Sequence, residues 1–361
     1  MRQLIILQTV VPDYRIKVFS FIHKNLGSSF CLFAGYEYFE DSVKTAPEID
    51  FLKMVKNHFF FKRKILFQTG MWKSCAAADV LVMEMNPRIL SNWILLLMRR
   101  FSSGKTILWG HAWPRSGRQS RSDRLRHLMR LLADEIIVYT HSQKRELEDK
   151  LKKRKIQAAP NALYLAEEMQ SIWLKKEDIW DIIYVGRLTK LKKPFSLVEA
   201  FSKVLDKIPE KSNLIIVGNG EEKEVIEKFI SQNKLDERII LMGHVGDYDT
   251  LKDLYARSLF SVSPGYVGLS ITQSLGFGVP MLISRDENHS PEKEAAIAGD
   301  NAMYFDAEQP DALTSHLIEI FNTRDFWIER REKIARECRE KYSVQVMAEP
   351  FLSLVNRQQP S

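Results

Sequence analysis

The sequence predicts an α/β protein with two domains, each a doubly wound parallel sheet covered by helices on both faces. Short β-branched runs alternate with amphipathic stretches along almost the whole chain, which is typical of parallel sheets. The chain has 361 residues, a length that favours two domains over one. The charge divides in the same way. Through Leu165 there are 28 Lys and Arg against 14 Asp and Glu, and the rest of the chain has 25 against 32.

The first half is predicted to contain five strands and four helices. Each strand is a short apolar run that ends at polar or glycine residues. These strands are Leu4–Thr9, Phe30–Gly35, Val80–Met83, Thr106–Trp109 and Glu135–Tyr139. The helices have apolar residues at helical spacing and are Ile16–Lys24, Ser91–Arg100, Arg124–Ala133 and Gln143–Leu151.

The second half repeats this alternation. Its predicted strands are Asp181–Tyr184, Asn213–Val217, Ile239–Met242, Leu259–Ser263, Met281–Ile283 and Met303–Phe305. Its predicted helices are Pro194–Lys207, Glu221–Asn233, Thr250–Arg257, Ile271–Leu275 and Pro310–Asn322. We therefore expect domains at 1–165 and 181–340 and a polar linker at 166–180. A C-terminal segment at 341–361, the end of a helical stretch, is expected to pack partly on the first domain.

The composition excludes several classes of protein. Apolar residues make up 45% and charged residues 27%, which excludes collagen, coiled coils and low-complexity disorder. The three cysteines have no CxxC spacing, so no disulfide scaffold and no thiolate metal site is expected. The longest apolar run, Trp93–Met98, is far shorter than the roughly 20 residues of a membrane span. The apolar run after Met1 is too short for a secretory signal, so we expect none.

The segment IIYVGRLTKLKKPFSLVEAF, from Ile182 to Phe201, carries the clearest chemical signal. Gly186 ends a buried strand and lets the backbone turn, and Arg187 and Lys192 follow before the next helix. In parallel sheets, ligands bind beyond the carboxyl ends of the strands. A guanidinium and an ammonium group at that position suit a diphosphate. The alternative is that Lys190, Lys192 and Lys193 only begin a solvated helix.

Two further strands end in glycine turns. LIIVGNGEE, from Leu214 to Glu222, has Gly218 and Gly220 after its strand. In SPGYVGLSITQSLGFGVP, from Ser263 to Pro280, Gly265 and Gly268 precede a helix whose first amides suit an anion. A single glycine pair at a turn is routine, but three such loops in order favour a phosphate-binding edge.

With these motifs the second half resembles the nucleotide-binding domain of the retaining GT-B glycosyltransferases, specifically glycosyltransferase family 4. The resemblance covers Asp181 to Phe305. The family has GRL-x3-K, IVG-x-G and E-x7-E segments, then GVP and PE. They correspond here to Gly186–Leu188 with Lys192, Val217–Gly220, Gly265 to Gln273, Gly278–Pro280 and Pro291–Glu292. The resemblance implies two Rossmann-like domains that face each other across a cleft.

The resemblance also implies the roles of individual residues. The catalytic residues are His111, Arg187 and Lys192; the two cations hold the diphosphate, and neither a metal nor a cofactor is expected. Gln273 holds the ribose, Gly218 with residues 243–245 shapes the base pocket, and Glu292 lies near the sugar. The full set implied to bind the donor is Gly186, Gly218, Gly220, Gly243, His244, Val245, Gly265, Val267, Gly268, Leu269, Ser270, Gln273 and Glu292.

The sequence departs from the family at both glutamates of E-x7-E, which are Gly265 and Gln273 here. An amide both donates and accepts hydrogen bonds, so Gln273 can still hold a ribose. Gly265 offers only backbone where the family has a side chain near the donor sugar. The departure leaves a non-catalytic binding or scaffold subunit as an alternative.

In the first half, TILWGHAWPRSGR places His111 just after a strand. In similar enzymes a histidine at this position faces the donor sugar; a structural histidine is the alternative. Asp13, Tyr14 and Arg15, together with Asn86 and Arg88, follow other strands and are expected on the acceptor side. They are equally compatible with solvated loops.

Basic and aromatic residues crowd Lys53–Trp72, and a second group follows at Arg115, Arg118, Arg121, Arg124, Arg126 and Arg130. This first domain is predicted to contact an anionic membrane surface; a solvated helix face and packed aromatics are the alternatives. No known nucleic-acid-binding motif is present, so no nucleic acid is expected. Asp247–Asp249 has the spacing of a metal-binding DxD, but it heads a helix and is predicted to cap it.

Together with these motifs, the resemblance therefore implies a metal-independent, retaining, hexosyl-type glycosyltransferase. A nucleotide-diphosphate sugar is its donor. Its acceptor is a glycan, such as a lipid-linked polysaccharide, lipopolysaccharide or O-antigen precursor, and its place is the cytoplasmic face of a membrane as a peripheral protein. A nucleotide-sugar epimerase or a sugar phosphorylase on the same fold is the other alternative, because a fold does not determine the chemistry.

Overall fold

The computed structural model of the chain describes residues 2–40, 43–46, 49–114, 117–118, 120–172, 174–309 and 311–356. The strands in these residues are β1 Leu4–Gln8, β2 Phe30–Ala34, β3 Leu52–Met54, β4 Lys56–Phe60, β5 Ile65–Thr69, β6 Val80–Glu84, β7 Lys105–Trp109, β8 Glu135–Val138, β9 Lys155–Ala158, β10 Asp181–Val185, β11 Leu214–Val217, β12 Ile239–Gly243, β13 Ser258–Ser263, β14 Met281–Ser284 and β15 Ala302–Phe305.

The α-helices in the same residues are α1 Ile16–Leu26, α2 Trp72–Ala77, α3 Leu90–Arg99, α4 Arg121–Leu132, α5 His141–Lys150, α6 Pro194–Ser202, α7 Lys223–Gln232, α8 Tyr248–Arg257, α9 Ser270–Gly276, α10 Ala312–Asn322, α11 Arg324–Tyr342 and α12 Val344–Asn356. The chain folds as two compact units. The first comprises residues up to Leu163 together with those from Val344, and the second runs from Tyr164 to Ser343.

The first unit contains a parallel sheet of seven strands in the order β3-β2-β1-β6-β7-β8-β9. β1 lies between β2 and β6, with Leu4 opposite Phe30 and Val80. Its inner strands are buried on both faces, as a sheet covered by helices requires, whereas the edge strands β3 and β9 are more exposed. α12 packs against α1, and Phe351 of α12 meets the Trp109 ring edge-on at 4.8 Å.

A separate antiparallel hairpin, β4-β5, interrupts this unit. Lys56 pairs with Thr69 and Phe60 with Ile65. The sequence patterns did not predict this hairpin, nor the short edge strands β3 and β9. β4 alternates exposed and half-buried residues, so it lacks the apolar run that identifies the strands of the main sheet.

The second unit contains a parallel sheet of six strands in the order β12-β11-β10-β13-β14-β15. The order reverses at β10: β11 and β12 extend the sheet on one side of β10, and the chain then crosses back from β12 to β13 on the other side. Both units are therefore doubly wound, as predicted. The segment expected to link the domains is part of this unit: Met169 is buried and its side chain lies against Gly276.

Candidate functional site

Five loops leave the carboxyl ends of neighbouring strands in the second unit, and hydrogen bonds tie them into one row. Strand order places β12, β11, β10, β13 and β14 side by side, so their following loops are neighbours. The bonds run from the Gly218 N–H to the Gly243 O (2.7 Å), from the Leu188 N–H to the Asn219 O (2.9 Å), from the Tyr266 N–H to the Leu191 O (2.9 Å) and from the Val267 N–H to the His289 Nδ1 (3.1 Å).

Two glycines in this row are required by the close approach of the loops. A Cβ on Gly218 would lie 1.8 Å from the Gly186 carbonyl oxygen. A Cβ on Gly265 would lie 2.4 Å from the Leu191 carbonyl oxygen and 2.6 Å from the Lys192 carbonyl carbon. The backbone beside Lys192 thus fills the space that a side chain at 265 would need. No glutamate fits there without moving the Lys192 loop.

The row carries two cations, Arg187 and Lys192. Arg187 is exposed and Lys192 is half-buried, with its Nζ 4.9 Å from the centre of the Tyr266 ring. Neither forms an ion pair with a carboxylate in the described parts of the chain. The next residue differs, because the Lys193 Nζ lies 2.5 Å from the Glu287 Oε1. Lys192 therefore differs from its neighbour Lys193, whose charge is compensated by a carboxylate.

Burial, and to a smaller extent the positive charge of Arg187, lower the pKa of Lys192 to about 8. A cation held in a partly desolvated site beside a second cation is stabilised by any anion that enters. A perturbed pKa together with converging like charges is typical of a functional site. The arrangement suits a ligand with adjacent negative charges, such as a diphosphate.

Gln273, at one end of the row, is oriented by an aromatic cluster. Its Nε2 donates to the Tyr164 hydroxyl at 2.7 Å. The Tyr164 ring packs against those of Tyr248 and Phe277, with centroids 5.4 and 5.3 Å away. Burial raises the pKa of Tyr164 to about 12, so this hydroxyl stays protonated. This bond engages the amide nitrogen of Gln273, and the amide oxygen can accept a further hydrogen bond.

His289 also belongs to the row, and the sequence patterns did not identify it. Its Nδ1 accepts the Val267 N–H and its Nε2 lies 2.7 Å from the Ser284 carbonyl oxygen. These partners assign the neutral imidazole with its proton on Nε2. Burial is the main cause that lowers its pKa, which favours the neutral form. His289 therefore braces the loop from Gly265 to Gly268.

Other residues predicted for the donor lie in the same loops. His244 is exposed, Val245 is half-buried, and Glu292 is buried in a 3-10 turn. Asp247 caps α8, as predicted: its Oδ2 accepts the Thr250 N–H at 2.8 Å and the Thr250 hydroxyl at 2.7 Å. Among the described residues, no group of three His, Cys, Asp or Glu side chains is placed to hold a metal ion.

In the first unit, polar side chains collect at the carboxyl edge of the sheet. His111 follows β7 and is exposed, with its ring 4.6 Å from that of Tyr139. Arg126 fixes the local backbone because its Nη1 donates to the His111 carbonyl oxygen at 2.7 Å. Arg15 donates to the Gln8 Oε1 at 2.7 Å and to the Tyr139 hydroxyl at 2.6 Å. Asp13 and Tyr14, beside Arg15, are exposed.

Glu84, the last residue of β6, lies at this edge and was not predicted as a site residue. Its Oε1 accepts the Thr9 N–H at 2.6 Å and its Oε2 accepts the Thr9 hydroxyl at 3.0 Å. Burial raises the pKa of Glu84, although the hydrogen bonds and Arg15 oppose that rise. The signal in the sequence is a lone carboxylate that ends the apolar run VLVME.

Asn86 and Arg88, predicted for the acceptor side, serve the local structure. The Asn86 Oδ1 accepts the Arg88 N–H at 3.1 Å. The Arg88 guanidinium donates to the Lys64 and Arg63 carbonyl oxygens at 2.7 Å each and lies 3.9 Å from the centre of the Phe39 ring. Arg88 therefore anchors the β4-β5 hairpin.

The expectation that the arginines around α4 form one membrane-facing group was wrong for Arg130 and Arg126. Arg130 is buried and pairs with Asp123 at 2.6 Å, and Arg126 donates to the Met85 carbonyl oxygen at 3.0 Å. Both turn inward because buried carboxylates and carbonyls need partners. Arg118 pairs with Glu146 and Arg124 is exposed. Arg115 and the side chain of Arg121 lie outside the described residues.

Comparison with known proteins agrees with this geometry. Residues 166–341 match the family described as glycosyl transferases group 1. An uncharacterised glycosyltransferase of Methanocaldococcus jannaschii is 30% identical over 174 residues, 45% of this chain and 42% of that protein. The alpha-monoglucosyldiacylglycerol synthase of Acholeplasma laidlawii is 28% identical over 165 residues, 44% of this chain and 39% of that protein. The chain thus spans about two fifths of the length of these relatives.

The fold over the whole chain is that of the GT-B glycosyltransferases. Anabaena HepE, solved in complex with UDP, superimposes with a TM-score of 0.66 at 12% sequence identity, over 98% of this chain and 99% of that one. The predicted fold class is therefore confirmed. In the part of the chain that the structure describes, no helix combines the length and apolar character needed to cross a membrane.

Proposed function

We propose that this chain is a retaining glycosyltransferase. It moves a hexosyl group from a nucleotide-diphosphate sugar to a hydroxyl of a glycan acceptor, which is a lipid-linked polysaccharide or lipopolysaccharide precursor. The observation that carries the proposal is the pair of uncompensated cations, Arg187 and Lys192, in a row of strand-end loops. The group 1 match of residues 166–341 and the UDP bound to HepE support a nucleotide-sugar donor.

The reaction we propose is a substitution on one face of the sugar. The bond between the anomeric carbon and the diphosphate oxygen breaks, and the acceptor oxygen forms its bond on the same face. The acceptor proton passes to the departing diphosphate oxygen. Arg187 and Lys192 stabilise the negative charge that develops on the diphosphate in the transition state. Fixed charges lower a reaction barrier most when they act on charge that develops there. Because two cations supply this role, activity should persist in a chelator such as EDTA.

The remaining residues position the substrates. Gln273 binds the ribose through its amide oxygen, since its nitrogen is engaged by Tyr164. Gly218 and residues 243–245 border the base, and Glu292 lies near the donor sugar. His111 contacts that sugar, while Asp13, Tyr14 and Arg15 contribute to acceptor binding. The basic first unit places the protein on the anionic cytoplasmic face of a membrane, where a lipid-linked acceptor resides.

Product analysis with donor alone and with donor plus acceptor tests this proposal against its alternatives. A transferase gives an acceptor-linked sugar of unchanged anomeric configuration. An epimerase alters the donor without an acceptor, and a phosphorylase requires inorganic phosphate. A scaffold subunit binds the donor and releases no nucleotide. This alternative is suggested by Gly265, which has no side chain where the family has a glutamate. Any result other than acceptor-dependent transfer contradicts the proposal.

Donor binding should weaken above pH 8. Lys192 has its pKa lowered to about 8, so it is cationic below that pH and loses its charge as the pH rises through it. The bound diphosphate prefers the charged form, so affinity falls by up to about tenfold per pH unit above the pKa. The measurement is the Kd of the nucleoside diphosphate from pH 7 to 9.5. Lys192→Arg keeps its charge, so an equal fall in that variant would contradict the assignment.

His289→Ala should weaken nucleotide binding without preventing folding. The substitution leaves the Val267 N–H without its acceptor, a loss of about 1 kcal/mol, and loosens the loop from Gly265 to Gly268. We expect a rise of about fivefold to tenfold in the Kd of the nucleotide. The control is Asn288→Ala, an exposed neighbour. Equal affinity in the two variants would show that His289 does not brace the loop.

A further inference from the structure

The outer sides of α3 and α4 expose large apolar side chains in the first unit. On α3 and just beyond its end they recur at helical spacing, and Phe101, two residues after the helix, is 93% exposed. α3 packs against α4, whose exposed leucines extend the surface. This α3–α4 face consists of Leu90, Ile94, Leu97, Met98, Phe101, Leu125, Leu128 and Leu131. Large apolar side chains that are exposed together on two packed helices indicate an interaction site.

The same part of the chain is almost free of acidic residues. Between residues 85 and 133 there are ten Lys and Arg, of which Arg99 and Arg130 are buried, and a single acidic residue, Asp123. Asp123 is buried and paired with Arg130 at 2.6 Å and with Lys150 at 2.8 Å, so it does not offset the surface charge. Arg100 and Arg124 are exposed at the α3–α4 face. The face is therefore both apolar and cationic.

The tip of the β4-β5 hairpin has the same character. Phe60 and Phe61 are exposed, Phe61 by 76%, and Lys62 to Lys64 follow. Phe61, Lys62 and Arg63 have φ of 53°, 54° and 60°, a left-handed conformation that such residues disfavour. Arg88 holds this tip two residues before α3 begins, by hydrogen bonds to the Arg63 and Lys64 carbonyl oxygens.

We propose that the α3–α4 face, with the hairpin tip, docks on an anionic phospholipid bilayer. A bilayer accommodates both properties, because apolar side chains enter the boundary of headgroups and acyl chains while Arg and Lys bind the phosphates. A second copy of the chain would bring like charges together across a two-fold interface. A nucleic-acid backbone would match the charge but would leave the leucines exposed.

This docking proposal adds a membrane surface to the proposed function. It depends on the proposed function only for the lipid-linked nature of the acceptor. α3 begins after β6, so Leu90 and the hairpin tip lie near the carboxyl edge of the sheet, the edge that carries His111 and Glu84. A bilayer bound there is close to the residues proposed for the acceptor. A lipid-linked glycan would then reach that edge while its lipid stays in the membrane.

Co-sedimentation of the full chain with vesicles tests the proposal. The vesicles are phosphatidylcholine alone and an equimolar mixture with phosphatidylglycerol. We expect binding to the anionic vesicles only, weakened by salt. The double variant Leu97→Ser with Phe101→Ser should bind at least about tenfold more weakly. The matched control, Val225→Ser with Ile297→Ser, removes two exposed apolar side chains from the second unit and should bind like the unchanged protein.

Charge reversal at Arg100 and Arg124 to Glu should also abolish binding to the anionic vesicles, whereas Lys228→Glu in α7 should not. Unchanged binding of the face variants, or equal binding to phosphatidylcholine alone, would overturn the proposal. It would also be overturned if sedimentation velocity showed a dimer that only the face variants dissociate. Nucleotide binding is measured in the unchanged protein and in each variant. If none of these proteins binds a nucleotide, the proposed function is contradicted, but the docking proposal is not.

Discussion

Lys192→Ala is expected to lower turnover by about a hundredfold to a thousandfold. The substitution removes one of two cations that stabilise the departing diphosphate, and loss of one such electrostatic group costs about 2.7–4 kcal/mol in other enzymes. Arg187→Ala should have an effect of the same kind. The measurement is kcat with saturating nucleotide sugar and acceptor. A fall in kcat beyond the change in KM would assign the lysine to the transition state.

Lys193→Ala is the matched control. Lys193 is adjacent in sequence, but its ammonium is paired with Glu287. Its loss should leave turnover within a few-fold of the unchanged protein. If Lys192→Ala also stayed within a few-fold, or if the two variants lost activity equally, the diphosphate site would have been placed on the wrong lysine.

Gly265→Glu is expected to inactivate the protein although it restores the residue that the family typically has. Its Cβ would lie 2.4 Å from the Leu191 carbonyl oxygen, so the loop that carries Lys192 must move. Overpacking of this kind costs typically 1–3 kcal/mol of stability, and displacing Lys192 should weaken nucleotide binding by about a hundredfold. The measurements are the thermal midpoint and the Kd of the nucleotide.

Gln273→Glu provides the comparison, because it restores the other glutamate of the pattern at a half-exposed position. The Tyr164 hydroxyl now accepts a hydrogen bond from the Gln273 amide. A hydroxyl can also donate, so it can form a hydrogen bond to the carboxylate of a glutamate at position 273. We expect nucleotide affinity within a few-fold of the unchanged protein. An active Gly265→Glu protein with normal stability would show that the loops at Leu191 and Gly265 are not packed as described.

The strands of the second unit could be predicted because each is a largely apolar run that stops at a glycine or polar residue. The predicted Asp181–Tyr184 and Met281–Ile283 each differ from the observed strand by one residue. The β4-β5 hairpin could not be predicted in this way. It is held by tertiary contacts, such as those of Arg88, and burial alternates along both of its strands, so neither is the continuous buried run that identifies the strands of the main sheet.

The loops proposed to bind the diphosphate could be located from the sequence because glycines, cations and strand ends are local features. The residues that brace them could not. His289 acts on Val267 across 22 positions, Gln273 meets Tyr164 across 109 and Thr9 meets Glu84 across 75. Likewise, the sequence does not distinguish the roles of Lys192 and Lys193. Only the structure shows that Glu287 lies beside Lys193 and compensates its charge.

The most direct test of the central claim is the thermal shift of the full chain with nucleoside diphosphates and their sugars. If the row of loops binds a nucleotide-diphosphate sugar, one family among the UDP, GDP, dTDP and CMP ligands should stabilise the protein. At 100 times the Kd this amounts to about 2.7 kcal/mol. The shift should disappear in Arg187→Ala and Lys192→Ala. No shift with any nucleotide, or a shift that persists in both variants, would contradict the account.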